Sequence, residues 1–152
     1  MKVIILAAGI GSRLMPLTND RPKCMVKLLD DTLIERQIKI FRSYDINDIT
    51  IVTGYKNEVI DMPNVNYVNN PNYETTNMNE SLFCALKPSN SSVLVTYGDI
   101  VFEPKIVQQM LEITNDIRLA VRTDWKKYYQ NRTMHSLSEA ENVLIENGRI
   151  LE

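Results

Sequence analysis

Val3-Ile4-Ile5-Leu6-Ala7-Ala8-Gly9-Ile10-Gly11-Ser12-Arg13-Leu14-Met15-Pro16-Leu17-Thr18, with Arg21-Pro22-Lys23 close behind, is the stretch that decides how this chain folds. Its apolar opening is short and β-branched and closes on a glycine turn, the pattern of a buried strand. Glycine accepts positive φ and lets backbone approach a ligand, so successive N–H groups can turn towards anionic oxygens. Arg13 brings a planar fork matched to phosphate, and Lys23, on an extended Pro-Lys step, brings a compact mobile charge. The arrangement suits a polyphosphate. A tight strand-to-loop turn with two solvated cations is the plainer alternative.

Two common phosphate loops are excluded. A P-loop needs Gly-x-x-x-x-Gly-Lys-Ser/Thr, and no Lys-Ser or Lys-Thr pair occurs in the chain. The dinucleotide fingerprint needs a third glycine opening a helix, where this chain has Leu14 with Pro16 soon after. The run from Leu6 through Leu14, then Pro16-Leu17-Thr18, Pro22-Lys23 and Val26-Lys27-Leu28, resembles the signature of sugar-phosphate-type nucleotidyltransferases over the first thirty residues. That resemblance implies that Leu6, Ala7, Ala8, Gly9, Gly11 and Ser12 bind nucleotide, and that Arg13 and Lys23 are catalytic.

The chain has 152 residues, one domain's worth, with an apolar fraction ordinary for a globular protein that buries a core. A formal net charge of −2 without a basic block argues against binding a nucleic-acid backbone by bulk electrostatics. Cys24 and Cys84 fit neither a disulfide framework nor metal-ligand spacing, which makes a reducing cytoplasm the expected setting. The apolar start is too short for a membrane span and does not read as a signal peptide, so no membrane partner is expected.

Along the chain, strands are expected over residues 2–7, 48–53, 65–68, 92–97 and 117–122. Thr32 with Glu35 forms a capping box opening a helix to about Tyr44, whose inward face is Leu33, Ile34, Gln37, Ile38, Phe41 and Tyr44. Asn77 caps a second helix from Met78 to about Leu86, and Pro104 starts a third to about Ile113. A helix between two apolar strands is a βαβ unit with a right-handed crossover. The expected fold is α/β: three layers, α/β/α, around a mostly parallel, Rossmann-like sheet. Ser136 to Glu139 suggests a helical turn, and Asn147-Gly148 a hairpin on a type I′ turn.

Asp99 follows a buried strand, at the carboxyl edge where open α/β sheets collect ligands. An aspartate there either caps a turn or holds a cation. The family resemblance implies that Asp99 is catalytic and binds Mg²⁺, which prefers hard oxygens and completes its shell with waters and substrate phosphates. Asn72-Tyr73-Glu74-Thr75-Thr76-Asn77-Met78-Asn79-Glu80-Ser81-Leu82 resembles a segment of bacterial cytidylyltransferases that activate phosphocholine or 2-aminoethylphosphonate, with Met78 as a departure. It implies that Asn77, Asn79 and Ser81 face base or ribose. Helix capping alone also accounts for Asn77. Trp125, Tyr129 and Arg132 are the candidate acceptor-binding residues, since aromatic faces favour an ammonium and a cation pairs with phosphate. A core tryptophan beside a solvated basic loop is the alternative. His135 reads as structural rather than catalytic.

The resemblance therefore implies a Mg²⁺-dependent cytidylyltransferase that moves CMP from CTP to a small phosphate or phosphonate, releases pyrophosphate, and serves cell-surface glycan or lipid decoration. A UTP- or dTTP-using sugar-1-phosphate nucleotidyltransferase, or a non-catalytic nucleotide-binding domain, are the alternatives. Relatives of this pattern are longer and carry a second metal-binding aspartate in a part absent from these 152 residues. The expectation is a nucleotidyltransferase domain, residues 1–152, whose acceptor portion begins near residue 123 and is C-terminally incomplete.

Overall fold

The structure, a computed structural model, describes residues 1–88, 91–130, 132 and 137–151. His135 and Ser136, which carried expectations above, lie outside them. The chain divides into two compact units, Met1–Arg118 and Leu119–Glu152.

The first unit is built on four parallel strands. They are β1 (Lys2–Leu6), β4 (Asp48–Thr53), β5 (Asn66–Asn69) and β6 (Val93–Tyr97), in the order β5-β4-β1-β6. Between β1 and β4 a two-residue ladder, β2 (Lys27–Leu28) with β3 (Asp31–Thr32), leads into helix α1 (Leu33–Arg42). Helix α2 (Met78–Ala85) connects β5 to β6, and α3 (Pro104–Glu112) follows β6.

Alternation along the strands sorts the side chains into two cores. Val3 and Ile5 of β1 and Ile49 and Ile51 of β4 pack with Ile34, Ile38 and Phe41 of α1 and Val107 of α3. Ile4 and Val52 pack on the other face with Ala85 and Leu82 of α2. Helices therefore cover both faces, the three-layer arrangement expected, and all ladders of this sheet are parallel. Burying each of the fully enclosed side chains Ile34 and Phe41 contributes about 1.5–3 kcal/mol.

The cap of α1 forms as expected. Glu35 N–H donates to Thr32 Oγ1 at 3.3 Å, while Glu35 Oε2 accepts from both Thr32 N–H and Thr32 Oγ1 at 2.7 Å. The backbone N–H of Thr32, first, and then its hydroxyl hold the Glu35 carboxyl below its ordinary 4.5. A depressed carboxylate stabilises the fold above its unfolded-state value, and that contribution is lost as the pH falls through the folded one. Thr32→Ala is expected to lower stability by about 1 kcal/mol, read as a reduced urea midpoint.

One expected element is absent. Residues 117–122 form no strand, although Ile117, Leu119 and Val121 alternate as a strand would; they are 82%, 52% and 43% exposed. Alternation suits a strand, but a strand exists only with a neighbour to bond, and among the described residues this segment pairs with none. The Arg118 side chain instead closes the end of α3, Nη1 donating to Met110 O at 2.5 Å and Nε to Asn115 O at 3.0 Å.

In the second unit, α4 (Trp125–Tyr129) is a short helix, Leu137–Glu139 form a single 3₁₀ turn, and β7 (Ile145–Glu146) pairs antiparallel with β8 (Arg149–Ile150). Asn147 and Gly148 take φ of 50° and 75°, the two positive values that a type I′ turn requires. No helix is long and apolar enough to cross a membrane among the described residues.

Candidate active site at the carboxyl edge of the sheet

The strand order creates the site. From β1 the chain moves outward to β4 and β5, then returns to the opposite side of β1 as β6. The direction of winding thus reverses between β1 and β6, and loops leaving their carboxyl ends diverge and leave a crevice, the place where open α/β sheets bind ligands. The loop after β1 and Asp99 after β6 both belong to this edge.

The loop after β1 is stitched to its neighbours at its base. Ala7 N–H donates to Val52 O at 2.9 Å, Tyr55 N–H to Ala8 O at 3.0 Å and Gly98 N–H to Leu6 O at 2.8 Å. Beyond Ala8 the bonding stops: the N–H groups of Gly9, Ile10, Gly11, Ser12 and Arg13 donate to no protein acceptor among the described residues. Gly11 turns the chain with φ 70° and ψ 37°, and Ser12–Leu14 follow as a single 3₁₀ turn. A run of unpaired donors on a left-handed turn is a concavity for anionic oxygens. Arg13 is exposed and its guanidinium has no protein partner among the described residues, so it is available to an incoming anion.

Lys23 and Asp99 meet across the crevice. Lys23 Nζ lies 2.5 Å from Asp99 Oδ2, with the two side chains 35% and 32% exposed. The lysine stem packs on the loop, since a Cβ added to Gly11 would fall 2.9 Å from Lys23 Cβ. Asp99 Oδ1 has no protein donor among the described residues. No group of three His, Cys, Asp or Glu side chains gathers anywhere among them. A cation at Asp99 would rest on one carboxylate and take its other oxygens from water and substrate phosphates, which is how Mg²⁺ is commonly held. The donor set fits that ion.

Several supporting residues carried no functional expectation in the sequence. Thr18 is fully buried, and its hydroxyl donates to Gly11 O at 3.0 Å, bracing the far side of the turn. The Tyr55 hydroxyl lies 3.1 Å from Thr18 O and 3.1 Å from Asn19 O, tying the loop after β4 to the loop after β1. Asn70, buried at the end of β5, organises the next loop: Nδ2 donates to Thr76 Oγ1 and Ser81 Oγ at 3.0 Å each, and Oδ1 accepts from Asn72 N–H at 3.0 Å. Thr18 lies in the opening stretch and Asn70 in an asparagine-rich one, but no local signal gives their partners, which are set by the fold.

This network fixes where the Asn77 segment sits. Asn77 is exposed and caps α2, its Oδ1 accepting from Asn79 N–H at 2.9 Å and Glu80 N–H at 3.3 Å, which leaves its amide nitrogen to face outward contacts. Asn79 is exposed, whereas Ser81 is buried and its hydroxyl is engaged by Asn70. Gly54, after β4, permits close packing: an added Cβ would stand 2.7 Å from Ala8 O and 2.7 Å from Tyr73 Cγ. The tyrosine can swing away, but the carbonyl is held by Tyr55 N–H. Gly54→Ala is expected to cost about 1–3 kcal/mol, checked by urea unfolding; an unchanged midpoint would contradict the packing described.

The two thiols differ in reach. Burial pushes the Cys24 thiol up to about 12, with the nearby Asp99 charge adding in the same direction, while Cys84 is exposed. Because the thiolate is the reactive form, a disulfide reagent at pH 8 is expected to titrate one thiol rapidly, Cys84, and the second only after unfolding.

In the second unit Trp125 and Tyr129 pack edge to face, centroids 5.5 Å apart, and protein cations already sit on their faces. The Arg132 guanidinium carbon is 4.4 Å from the Tyr129 centroid and Lys126 Nζ 5.8 Å from that of Trp125. The three candidate acceptor residues are thus gathered with one another.

A family model described as the MobA-like NTP transferase domain matches residues 3–141. The chain is 37% identical to CTP:phosphoglutamine cytidylyltransferase of Campylobacter jejuni over all of its own length and 64% of that protein's. It is 30% identical to a bifunctional sugar-1-phosphate nucleotidylyltransferase/acetyltransferase of Sulfurisphaera tokodaii, over 85% of this chain and 32% of that one. Among solved structures, the CTP:phosphocholine cytidylyltransferase of Streptococcus pneumoniae superposes with a TM-score of 0.53 at 43% identity, covering 54% of this chain and 38% of that one. The chain spans less than two thirds of the length of each of these proteins.

Proposed function

Because the chain belongs to the MobA-like NTP transferase domain family, we propose that it carries the nucleotide-binding machinery of a cytidylyltransferase, which transfers CMP from CTP to a small phosphate or phosphonate and releases pyrophosphate. The observation that carries this reading is the Lys23–Asp99 pair, 2.5 Å apart, facing a loop of unpaired backbone donors at the switch point of the sheet. CTP is favoured because one relative named for CTP use matches the whole chain at 37% identity and another superposes on 54% of it at 43%. The Asn77 segment supports it, since an amide offers both a donor and an acceptor to a base edge.

The acceptor needs no dedicated general base. A phosphate monoester has a second pKa of about 6, so its oxygen is already anionic at neutral pH and attacks the α-phosphorus in line as pyrophosphate leaves. Catalysis is then positioning and charge neutralisation. The Gly9–Arg13 donors bind the triphosphate, Arg13 forks onto its oxygens, and Lys23 neutralises charge on the transferring group. Mg²⁺ bound at Asp99 would supply further neutralisation of the phosphates. Trp125, Tyr129 and Arg132 are proposed to meet the acceptor, and Asn77, Asn79 and Ser81 the nucleoside. The setting we propose is the cytoplasm, with the product supplying activated head groups for surface glycans or lipids.

The relative named for sugar-1-phosphate transfer favours a second reading, in which UTP or dTTP and a sugar 1-phosphate are used. Pyrophosphate release from each nucleotide, measured with phosphocholine, 2-aminoethylphosphonate, phosphoglutamine and glucose 1-phosphate, separates the two. Turnover with CTP and one of the first three acceptors is expected. Turnover confined to UTP or dTTP with the sugar phosphate would refute the cytidylyltransferase assignment.

A further inference from the structure

Helix α1 reaches into the turn that carries Asp99 through one buried side chain. Gln37 is 1% exposed, and its amide nitrogen donates to Tyr97 O at 2.8 Å and to Ile100 O at 2.8 Å. Those carbonyls bracket Gly98-Asp99. The turn's own backbone bond, Ile100 N–H to Tyr97 O, is long at 3.5 Å, beyond the usual range for N–H···O. The side-chain amide, not the backbone, therefore closes this turn. A second observation points the same way: Gln37 Oε1 is buried and meets no donor among the described residues. An apolar side chain of similar size would avoid that unpaired acceptor without loss of packing. What only the amide supplies is the pair of N–H groups.

We infer that Gln37 is a positioning residue, which sets the orientation of the Asp99 carboxylate towards a phosphate-bound divalent cation by clamping the Tyr97 and Ile100 carbonyls. The inference rests on the assignment of Asp99 to the cation in the proposed function. Partners that orient a metal-binding carboxylate typically change metal affinity by about 10–100-fold when removed. Gln37 is buried behind the turn, bonded to its carbonyls rather than open to the crevice, so its loss should leave metal-free nucleotide binding as it is.

The test uses the full chain and compares CTP affinity with and without Mn²⁺, free Mn²⁺ being read by electron paramagnetic resonance. Gln37→Met keeps the length and loses both donors. It is expected to weaken Mn²⁺ binding in the presence of CTP by about 10-fold or more, to leave CTP binding without metal unchanged, and to speed amide hydrogen exchange at Asp99 and Ile100. Should Gln37→Met not fold, Gln37→Leu, which also lacks the two donors, carries the same test. Wild-type Mn²⁺ affinity in the folded variant would overturn the inference. So would an equal loss with and without metal, which would mean that Gln37 only supports the fold. Asp99→Asn, run in parallel, is expected to lose the metal-dependent part altogether. Metal binding lost in Asp99→Asn but intact in Gln37→Met refutes this inference alone; intact binding in Asp99→Asn removes the Asp99 assignment and this inference with it.

Discussion

Asp99→Ala is expected to reduce the rate of CMP transfer by about 10²–10³-fold while leaving the fold intact, the scale seen when a preorganised electrostatic group is removed from a transition state. Both halves follow from the geometry. The carboxylate is about one third exposed and its partner Lys23 is similarly open, so removing it strands no buried charge. Ion pairs this solvated contribute only about 0–1 kcal/mol to stability. Single-turnover transfer and a thermal melt, made on the same preparation, check the two halves together. A rate within a few-fold of the unsubstituted protein, or a collapse of the melt, would each contradict the role given to Asp99.

Lys23→Ala is expected to have an effect of the same order, with a different profile among variants. The lysine does two things: its stem packs against Gly11, and its ammonium meets Asp99 at 2.5 Å. Lys23→Met retains the stem and loses the charge. If charge neutralisation is what matters, Lys23→Met should be as inactive as Lys23→Ala, and Lys23→Arg should retain part of the rate. Packing as the main role would reverse this, with Lys23→Met close to normal. Stopped-flow measurement of pyrophosphate release distinguishes the outcomes.

What the sequence made legible is what short-range chemistry controls. The strand emptying into Gly9-Ile10-Gly11, the Thr32–Glu35 cap, the Asn77 cap and Pro104 at a helix start are local signals, and each element begins where its signal lies. The bonds that hold the site together are long-range. Lys23 and Asp99 are 76 residues apart, Gln37 and Ile100 are 63 apart, and Tyr55 and Thr18 are 37 apart. A glutamine on an apolar helix face reads as an inward residue, yet nothing local says which carbonyls it will meet. Asn70 is one of several asparagines in a polar stretch, and only its place at the end of β5 puts it in the interior. Residues 117–122 show the converse: alternation was present, but pairing depends on a neighbour that a local pattern does not contain.

The cytidylyltransferase reading requires this crevice to select a cytidine triphosphate. Isothermal titration of the chain with CTP, UTP and dTTP, each in excess Mg²⁺, tests it most directly. Binding of CTP at least about 10-fold tighter than either rival, equivalent to about 1.4 kcal/mol, is the expected result. Equal affinities, or a preference for UTP or dTTP, would contradict it.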